Sequence, residues 1–168
     1  MSRPLHDQKD PHDAEPLAVA VVTVSDTRTL EDDASGAAAV ELLRAAGHTL
    51  LSRVIVPDER EAIARAVRAA VDAGARLVVT NGGTGVAARD VTYEAVSALL
   101  DKTLDGFGEA FRRLSWDEIG PRAMLSRAVA GTLGRALVVA LPGSTKAVRL
   151  GVERLVVPIA RHAAGILS

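Results

Sequence analysis

The sequence predicts an α/β fold: a three-layer sandwich with a mainly parallel sheet, helices on both faces and one antiparallel edge strand. Three observations predict it. Short runs rich in valine and alanine, with no polar alternation, mark strands buried on both faces. Amphipathic stretches of helical period separate these runs. Several runs stop in glycine, proline or Ser-Asp turns just before a helix, the pattern of strand–turn–helix units. At 168 residues, 48% of them hydrophobic, the chain suffices for one domain with a full core.

The elements follow in order. Residues 1–16 are polar, with three prolines and two histidines, His6 and His12, and are expected to form a flexible tail. The folded domain is expected to span 17–168. Residues 17–24 are almost entirely apolar and valine-rich, a buried strand that ends in Ser25-Asp26-Thr27. Ser35-Gly36 leads into a helix over 37–46, closed by Gly47, with Asp33 and Ser35 as capping residues and His48 exposed beyond it. Residues 50–56 form a second strand, stopped by Pro57-Asp58. Residues 59–73 form a helix with Ile63, Val67, Ala70 and Val71 inward and Arg60, Glu61, Arg65 and Arg68 outward. Residues 76–80 are the third strand, running into Asn81-Gly82-Gly83-Thr84-Gly85. Thr92 suits an N-cap for a helix over 93–100. A further helix covers 107–114, and 116–121 reads as a loop or short turn. Residues 127–130 and 135–141 read as strands joined around Gly131 and Gly134. The second ends in Pro142-Gly143-Ser144-Thr145-Lys146, and helices over 145–154 and 157–167 finish the chain.

Composition excludes several classes of function. A net charge of −1 argues against binding nucleic acid by phosphate neutralisation, and 2% aromatics argue against base-stacking platforms. The absence of cysteine excludes disulfides, thiolate metal sites and thiol nucleophiles. No apolar run reaches the length that spans a bilayer, and the polar N-terminus is no signal peptide, so the expected location is cytoplasmic.

In open α/β sheets, ligands bind beyond the carboxyl ends of the strands. Four strands here end in polar or glycine-rich turns, and a parallel arrangement gathers all four at one edge. Gly82, Gly83, Thr84 and Gly85 offer backbone N–H groups to phosphate oxygens, as a nest near a helix start. A plain glycine turn accounts for the same residues. The Walker pattern fails, because no Gly-Lys-Ser/Thr follows. The dinucleotide fingerprint matches only loosely and leads into Arg89-Asp90. Pro142-Gly143-Ser144 opens a helix, so Ser144 either caps it or binds an anion there, and Lys146 adds positive charge. Asp26, Asp58 and Asp90 bring carboxylates to the anion site. Carboxylates beside phosphates call for a cation, and Mg²⁺ on one or two carboxylates plus substrate phosphates is the usual arrangement. Each residue also has a plainer role: Asp58 caps a helix, Asp90 pairs with Arg89, Lys146 is a solvated charge. Together they suggest nucleotidyl or phosphoryl transfer by positioning and charge neutralisation.

The set Ser25-Asp26, Val56-Pro57-Asp58-Glu59, Asn81-Gly82-Gly83-Thr84-Gly85, Arg89-Asp90-Val91-Thr92, Leu125-Ser126-Arg127 and Pro142-Gly143-Ser144-Thr145-Lys146 resembles the MoaB/MogA family of molybdenum-cofactor biosynthesis, which includes the adenylating domains of gephyrin-like proteins. The likeness runs from about Leu17 to the C-terminus. It implies a homotrimer or homohexamer. It also implies Mg²⁺- and ATP-dependent adenylylation of molybdopterin, with release of pyrophosphate and hand-over of the product to the molybdate-inserting enzyme. Asp58 and Asp90 fall on the family's two important acidic positions and are the expected catalytic and Mg²⁺-binding residues. Ser25, Asp26, Gly82 to Gly85, Ser126, Pro142, Gly143, Ser144 and Lys146 are the expected substrate- and nucleotide-binding positions. The segment 106–120 resembles the MoaB branch, in which some bacterial members lack adenylylating activity; the alternative is therefore a molybdopterin-binding carrier or scaffold without turnover. Tyr93 stands where the family often has proline, which loosens the helix start but removes no catalytic group.

Overall fold

The computed structural model describes residues 15–168, so the expectations for the tail, with His6 and His12, lie almost wholly outside the described residues. Six strands form one sheet: β1 Ala18–Val24, β2 Thr49–Val56, β3 Leu77–Asn81, β4 Lys102–Thr103, β5 Val129–Leu133 and β6 Ala136–Leu141. Their spatial order is β2-β1-β3-β6-β5-β4. The pairs β1–β2, β1–β3 and β3–β6 are parallel, while β5 runs antiparallel to both β6 and β4. The antiparallel part is thus β5 capped by a two-residue edge strand, too short to leave a sequence pattern. The helices are α1 Ala34–Ala45, α2 Arg60–Asp72, α3 Thr92–Ser97, α4 Asp105–Ile119, α5 Thr145–Gly151 and α6 Val157–Ile166.

The alternation of each strand divides the core into two layers. On one face Val19, Val21, Leu77, Val79, Leu137 and Val139 pack against α1, α4, α5 and α6. On the other, Ala20, Val22, Val78 and Val138 pack against α2 and α3. Both faces are covered, which is why the strands read as unbroken apolar runs.

Some local expectations are corrected. Residues 116–119 are helical, because Phe107, Phe111 and Ser115 continue one buried stripe at four-residue spacing. Gly120 (φ +61°) ends that helix, and a 3-10 turn, Gly120–Leu125, with Pro121 in its first turn, follows. Thr92 is not the N-cap of α3 but its first residue, with Val91 before it. His48, expected exposed, is buried: Gly47 (φ +89°) turns the chain inward, and His48 Nδ1 accepts the Leu17 amide at 3.1 Å. Burial, then the charge of Arg161, holds its pKa below the usual imidazole value. α5 and α6 are joined by a π-helical turn, Val152–Val156. That wider turn accommodates Pro158, whose ring cannot sit in a regular α-helical interior.

Gly131 lies inside β5, not in the turn, which Gly134 (φ +56°) makes alone. A Cβ on Gly131 would stand 2.3 Å from the Lys102 carbonyl oxygen. Gly131→Ala therefore pushes β4 off the sheet. The expected cost is about 1–3 kcal/mol in urea unfolding. Amide exchange should quicken at Asp101 and Leu104, whose N–H groups pair with Thr132 and Ala130.

Candidate functional site

Because β2, β1, β3 and β6 are parallel neighbours, their C-terminal ends lie on one edge of the sheet. A cleft of about 560 Å³ opens there, lined among others by Ser25, Asp26, Asp58, Gly83, Gly143 and Ser144. Residues far apart in sequence are thus brought together by topology, at the switch point where an open sheet leaves a crevice.

One wall is the loop from β1 to α1, fixed by a buried polar cluster. Asp33 caps α1 by accepting the Gly36 amide at 3.0 Å, and its side chain is wholly buried. Its carboxylate also accepts the Thr23 hydroxyl (2.7 Å) and Arg53 Nη2 (3.1 Å). Asn81, at the end of β3, donates to Thr23 Oγ1 at 3.0 Å. Ser35 Oγ lies 2.9 Å from Asn81 Oδ1 and 3.2 Å from Asp33 Oδ1, and its one proton serves either. Burial by itself raises the Asp33 pKa, but bonds from Thr23, the Gly36 amide, Arg53 and Ser35 outweigh it and hold the carboxyl below its usual value.

The glycine loop forms the floor. Gly82 (φ +100°) donates its amide to the Leu141 carbonyl at 2.9 Å, and a Cβ there would meet the Val24 carbonyl oxygen at 2.4 Å. Gly82 is therefore a packing glycine, and the expectation that its amide serves a phosphate is corrected. Gly83 (φ +70°) faces the cleft; a Cβ on it would stand 2.3 Å from Thr92 Oγ1 and 3.2 Å from Asp58 Oδ1. No hydrogen bond among the described residues engages the amides of Gly83, Thr84 or Gly85. Thr84 is buried, and its carbonyl accepts the Arg127 amide at 2.8 Å.

Arg127, quoted in the sequence only as part of a motif, shapes this loop. Its Nε donates to the Gly85 carbonyl (2.8 Å) and Nη2 to the Asp90 carbonyl (2.9 Å). It also pairs with Glu94 and lies 5.1 Å from the centre of the Tyr93 ring. Sequence reasoning could have weighted this arginine only by knowing which carbonyls it would meet.

The carboxylates do not share one environment. Asp26 accepts the Asp58 amide at 3.0 Å and Arg89 Nε at 2.8 Å, and the first of these chiefly lowers its pKa. Asp58 is half-buried, and burial, then the negative charge of Asp26, raises its pKa; Arg89 opposes this and Asp90 adds to it. Asp58 does not cap α2, which begins after Glu59 without a side-chain cap. Asp90 Oδ2 accepts the Ala87 amide at 2.8 Å and lies against Gly85, so Asp90 folds onto its own loop and borders a neighbouring hollow, not the cleft lining. Its predicted pairing with Arg89 is not made, since Arg89 binds Asp26. Among the described residues no cluster of three or more acidic, histidine or cysteine side chains could hold a metal. Mg²⁺ needs no such cluster, because it takes one or two carboxylates and fills its sphere with water and phosphate. A half-buried Asp58 that suffers the charges of Asp26 and Asp90 fits such a cation.

The remaining predicted residues separate. Ser144 caps α5, its Oγ accepting the Ala147 amide at 3.2 Å, and lines the cleft with Gly143. Pro142 makes the turn before them and is not among the lining residues. Lys146 is exposed, lies 3.8 Å from Glu118 and is not among the residues that line the cleft. Ser126 borders a different cavity of about 470 Å³, with Tyr93, Arg112 and Arg127. Its hydroxyl is buried and has no hydrogen-bond partner among the described residues, and the same holds for Thr92.

The chain is similar to known proteins over most of its length. A family described as a probable molybdopterin binding domain matches residues 20–162. Molybdenum cofactor biosynthesis protein B of Bacillus cereus is 53% identical over 144 residues, 84% of this chain and 85% of the relative. A crystal structure of a molybdenum cofactor biosynthesis protein B superposes with a TM-score of 0.88 at 50% identity, covering 91% of this chain and 96% of the other. The molybdopterin biosynthesis enzyme MoaB of Thermus thermophilus gives a TM-score of 0.80 at 38% identity, covering 90% and 96%.

The raised pKa of Asp58 has a signed consequence. Its neutral form favours the fold below the ordinary aspartate pKa of about 3.9, and that contribution is lost as pH rises through the folded value. Asp58→Asn keeps the neutral form at every pH. The ligand-free variant should therefore melt above the wild type at pH 7, with the difference vanishing below about pH 4, as thermal unfolding across pH would record.

Proposed function

We propose that this chain, which belongs to the probable molybdopterin binding domain family, catalyses Mg²⁺- and ATP-dependent adenylylation of molybdopterin in molybdenum cofactor biosynthesis. The observation that carries the reading is the half-buried Asp58 beside the Gly83 backbone in a cleft closed by the start of α5. A carboxylate placed against phosphate-binding amides is electrostatically sensible only with a cation between substrate and protein. The names of the relatives, molybdenum cofactor biosynthesis protein B and molybdopterin biosynthesis enzyme MoaB, support the pathway.

In this transfer an oxygen of the terminal phosphate of molybdopterin attacks the α-phosphorus of ATP. A new P–O–P bond forms, the bond from the α-phosphorus to the bridging oxygen breaks, and pyrophosphate leaves with the bond electrons. Asp58 would hold Mg²⁺, joined by Asp90 once it releases the Ala87 amide, and the ion supplies neutralisation of the triphosphate charge. The amides of Gly83, Thr84 and Gly85 are suited to phosphate oxygens, and Ser25, Asp26, Gly143 and Ser144 to orienting the two substrates. There is little covalent chemistry for the protein to do; positioning and charge stabilisation supply the rate. The product would pass to the molybdate-inserting enzyme. Assembly with further copies, a homotrimer or homohexamer, is supported by exposed Trp116 and Ile119 in the last turns of α4 and Met124 and Leu125 in the 3-10 turn after it.

One observation favours a second reading. Asp90 is engaged by the Ala87 amide and packed on Gly85, which suits a carrier that binds molybdopterin without turnover. Incubation with molybdopterin and Mg-ATP, with mass analysis of the pterin, separates the two. An enzyme yields adenylylated molybdopterin, and Asp58→Asn and Asp90→Asn each lower pyrophosphate release about a hundredfold or more. A folded wild type that binds molybdopterin and yields no product is the carrier.

A further inference from the structure

We propose that Arg28 is the cation that grips a phosphate group of the substrate in the cleft. The proposal rests on the functional reading above and assigns the charge that Lys146 does not supply. Arg28 is the one positively charged side chain among the residues that line the cleft. Lys146 points to Glu118, and Arg89 is spent on Asp26.

The geometry of Arg28 is that of a prepared anion clamp. Its Nη1 donates to Ser35 Oγ at 2.7 Å and lies 3.7 Å from Asp33 Oδ1. Ser35 and Asp33 belong to the buried cluster of β1, β3 and α1, so one edge of the guanidinium is tied to the rigid interior. Its own loop is held as well, because the amides of Thr27 and Arg28 both donate to Ser25 Oγ. Nε and Nη2 have no partner among the described residues, and the side chain remains 39% exposed. A guanidinium fixed on one edge and open on the other keeps donors in a planar fork that matches two phosphate oxygens, with less entropy left to lose on binding. Gly83 and Ser144, which caps α5, line the same cleft. Asp26 and Asp58 add negative charge to the same space, which makes a built-in cation more necessary.

The shared chemistry is a phosphate monoester or polyphosphate, and two substrates carry it: ATP and molybdopterin. Calorimetric titration of the intact protein at fixed Mg²⁺ and salt, with ATP in one arm and molybdopterin in the other, distinguishes them. Arg28→Gln should weaken one of the two about tenfold or more, and the arm affected names the phosphate held. Arg28→Lys should recover part of the loss, since it keeps the charge without the fork. Ser35→Ala should weaken the same arm, because it frees the guanidinium. The Gln variant is expected to melt near the wild type, since Asp33 keeps Thr23, Gly36 and Arg53. Should it melt early, Arg28→Lys decides: weaker binding in one arm supports the proposal, and wild-type binding in both overturns it. Undiminished binding of both ligands by folded Arg28→Gln overturns the proposal and leaves the functional reading standing. Wild-type protein that binds neither ligand removes both.

Discussion

The buried carboxylate of Asp33 is the constraint on which the site depends. An ionised group without solvent is costly unless its lone pairs are filled, and here a hydroxyl, an amide and a guanidinium fill them. Each partner comes from a different element: Thr23 from β1, Gly36 from α1, Arg53 from β2. Asn81 of β3 joins through Thr23 and Ser35. Removing any one partner leaves the buried carboxylate short of a bond, so the cluster ties β1, β2 and β3 together. The β1–α1 loop that carries Ser25, Asp26 and Arg28 is tied to that cluster and inherits its rigidity.

The opposite wall is ordered by a different device. Gly82 and Gly83 adopt positive φ values that other residues rarely take, and a Cβ on either would clash with neighbouring atoms. Beyond them the chain is held from outside by Arg127, which bonds to two carbonyls of the loop and to Glu94. Arg127 stands just before β5, so the hairpin edge of the sheet braces the loop that follows β3. The cleft is thus the gap between two rigid walls, and its electrostatics follow from that. Asp26 is satisfied by Arg89 and the Asp58 amide, whereas Asp58 is crowded by burial and by its acidic neighbours. Strain of this kind at a cleft points to a function that an apolar residue would not serve.

The sheet was legible in the sequence because strands buried on both faces leave long apolar runs. The convergence of four turns followed from parallel pairing alone. Weaker signals failed for physical reasons. Ser144 sits in the cleft but Lys146, two residues on, turns away, since adjacent helical positions face different directions. Gly82 and Gly83 look identical in sequence, yet one amide is spent on Leu141 and the other faces the cleft. Ser126 belongs to a separate cavity, because the 3-10 turn before it diverts the chain. Asp33 and Ser35 read as caps; Asp33 is one, but the larger network needs Arg53 and Asn81, contacts that no local pattern encodes. Arg28 and His48 were hidden likewise, one in a polar loop and the other behind a helix-ending glycine. The family resemblance, carried by six short motifs, is matched by a family assignment over residues 20–162.

The central claim is that Asp58, the Gly83 loop and the helix start at Ser144 together take a metal-bound triphosphate at the ends of the parallel strands. Crystals grown with ATP and Mn²⁺ in place of Mg²⁺, with diffraction collected for the anomalous signal of manganese, test it most directly. The account predicts one manganese peak on the carboxylate of Asp58, with triphosphate oxygens against the amides that follow Gly82. Manganese and triphosphate seated instead in the cavity of Ser126 and Arg112, with Asp58 bare, would contradict it.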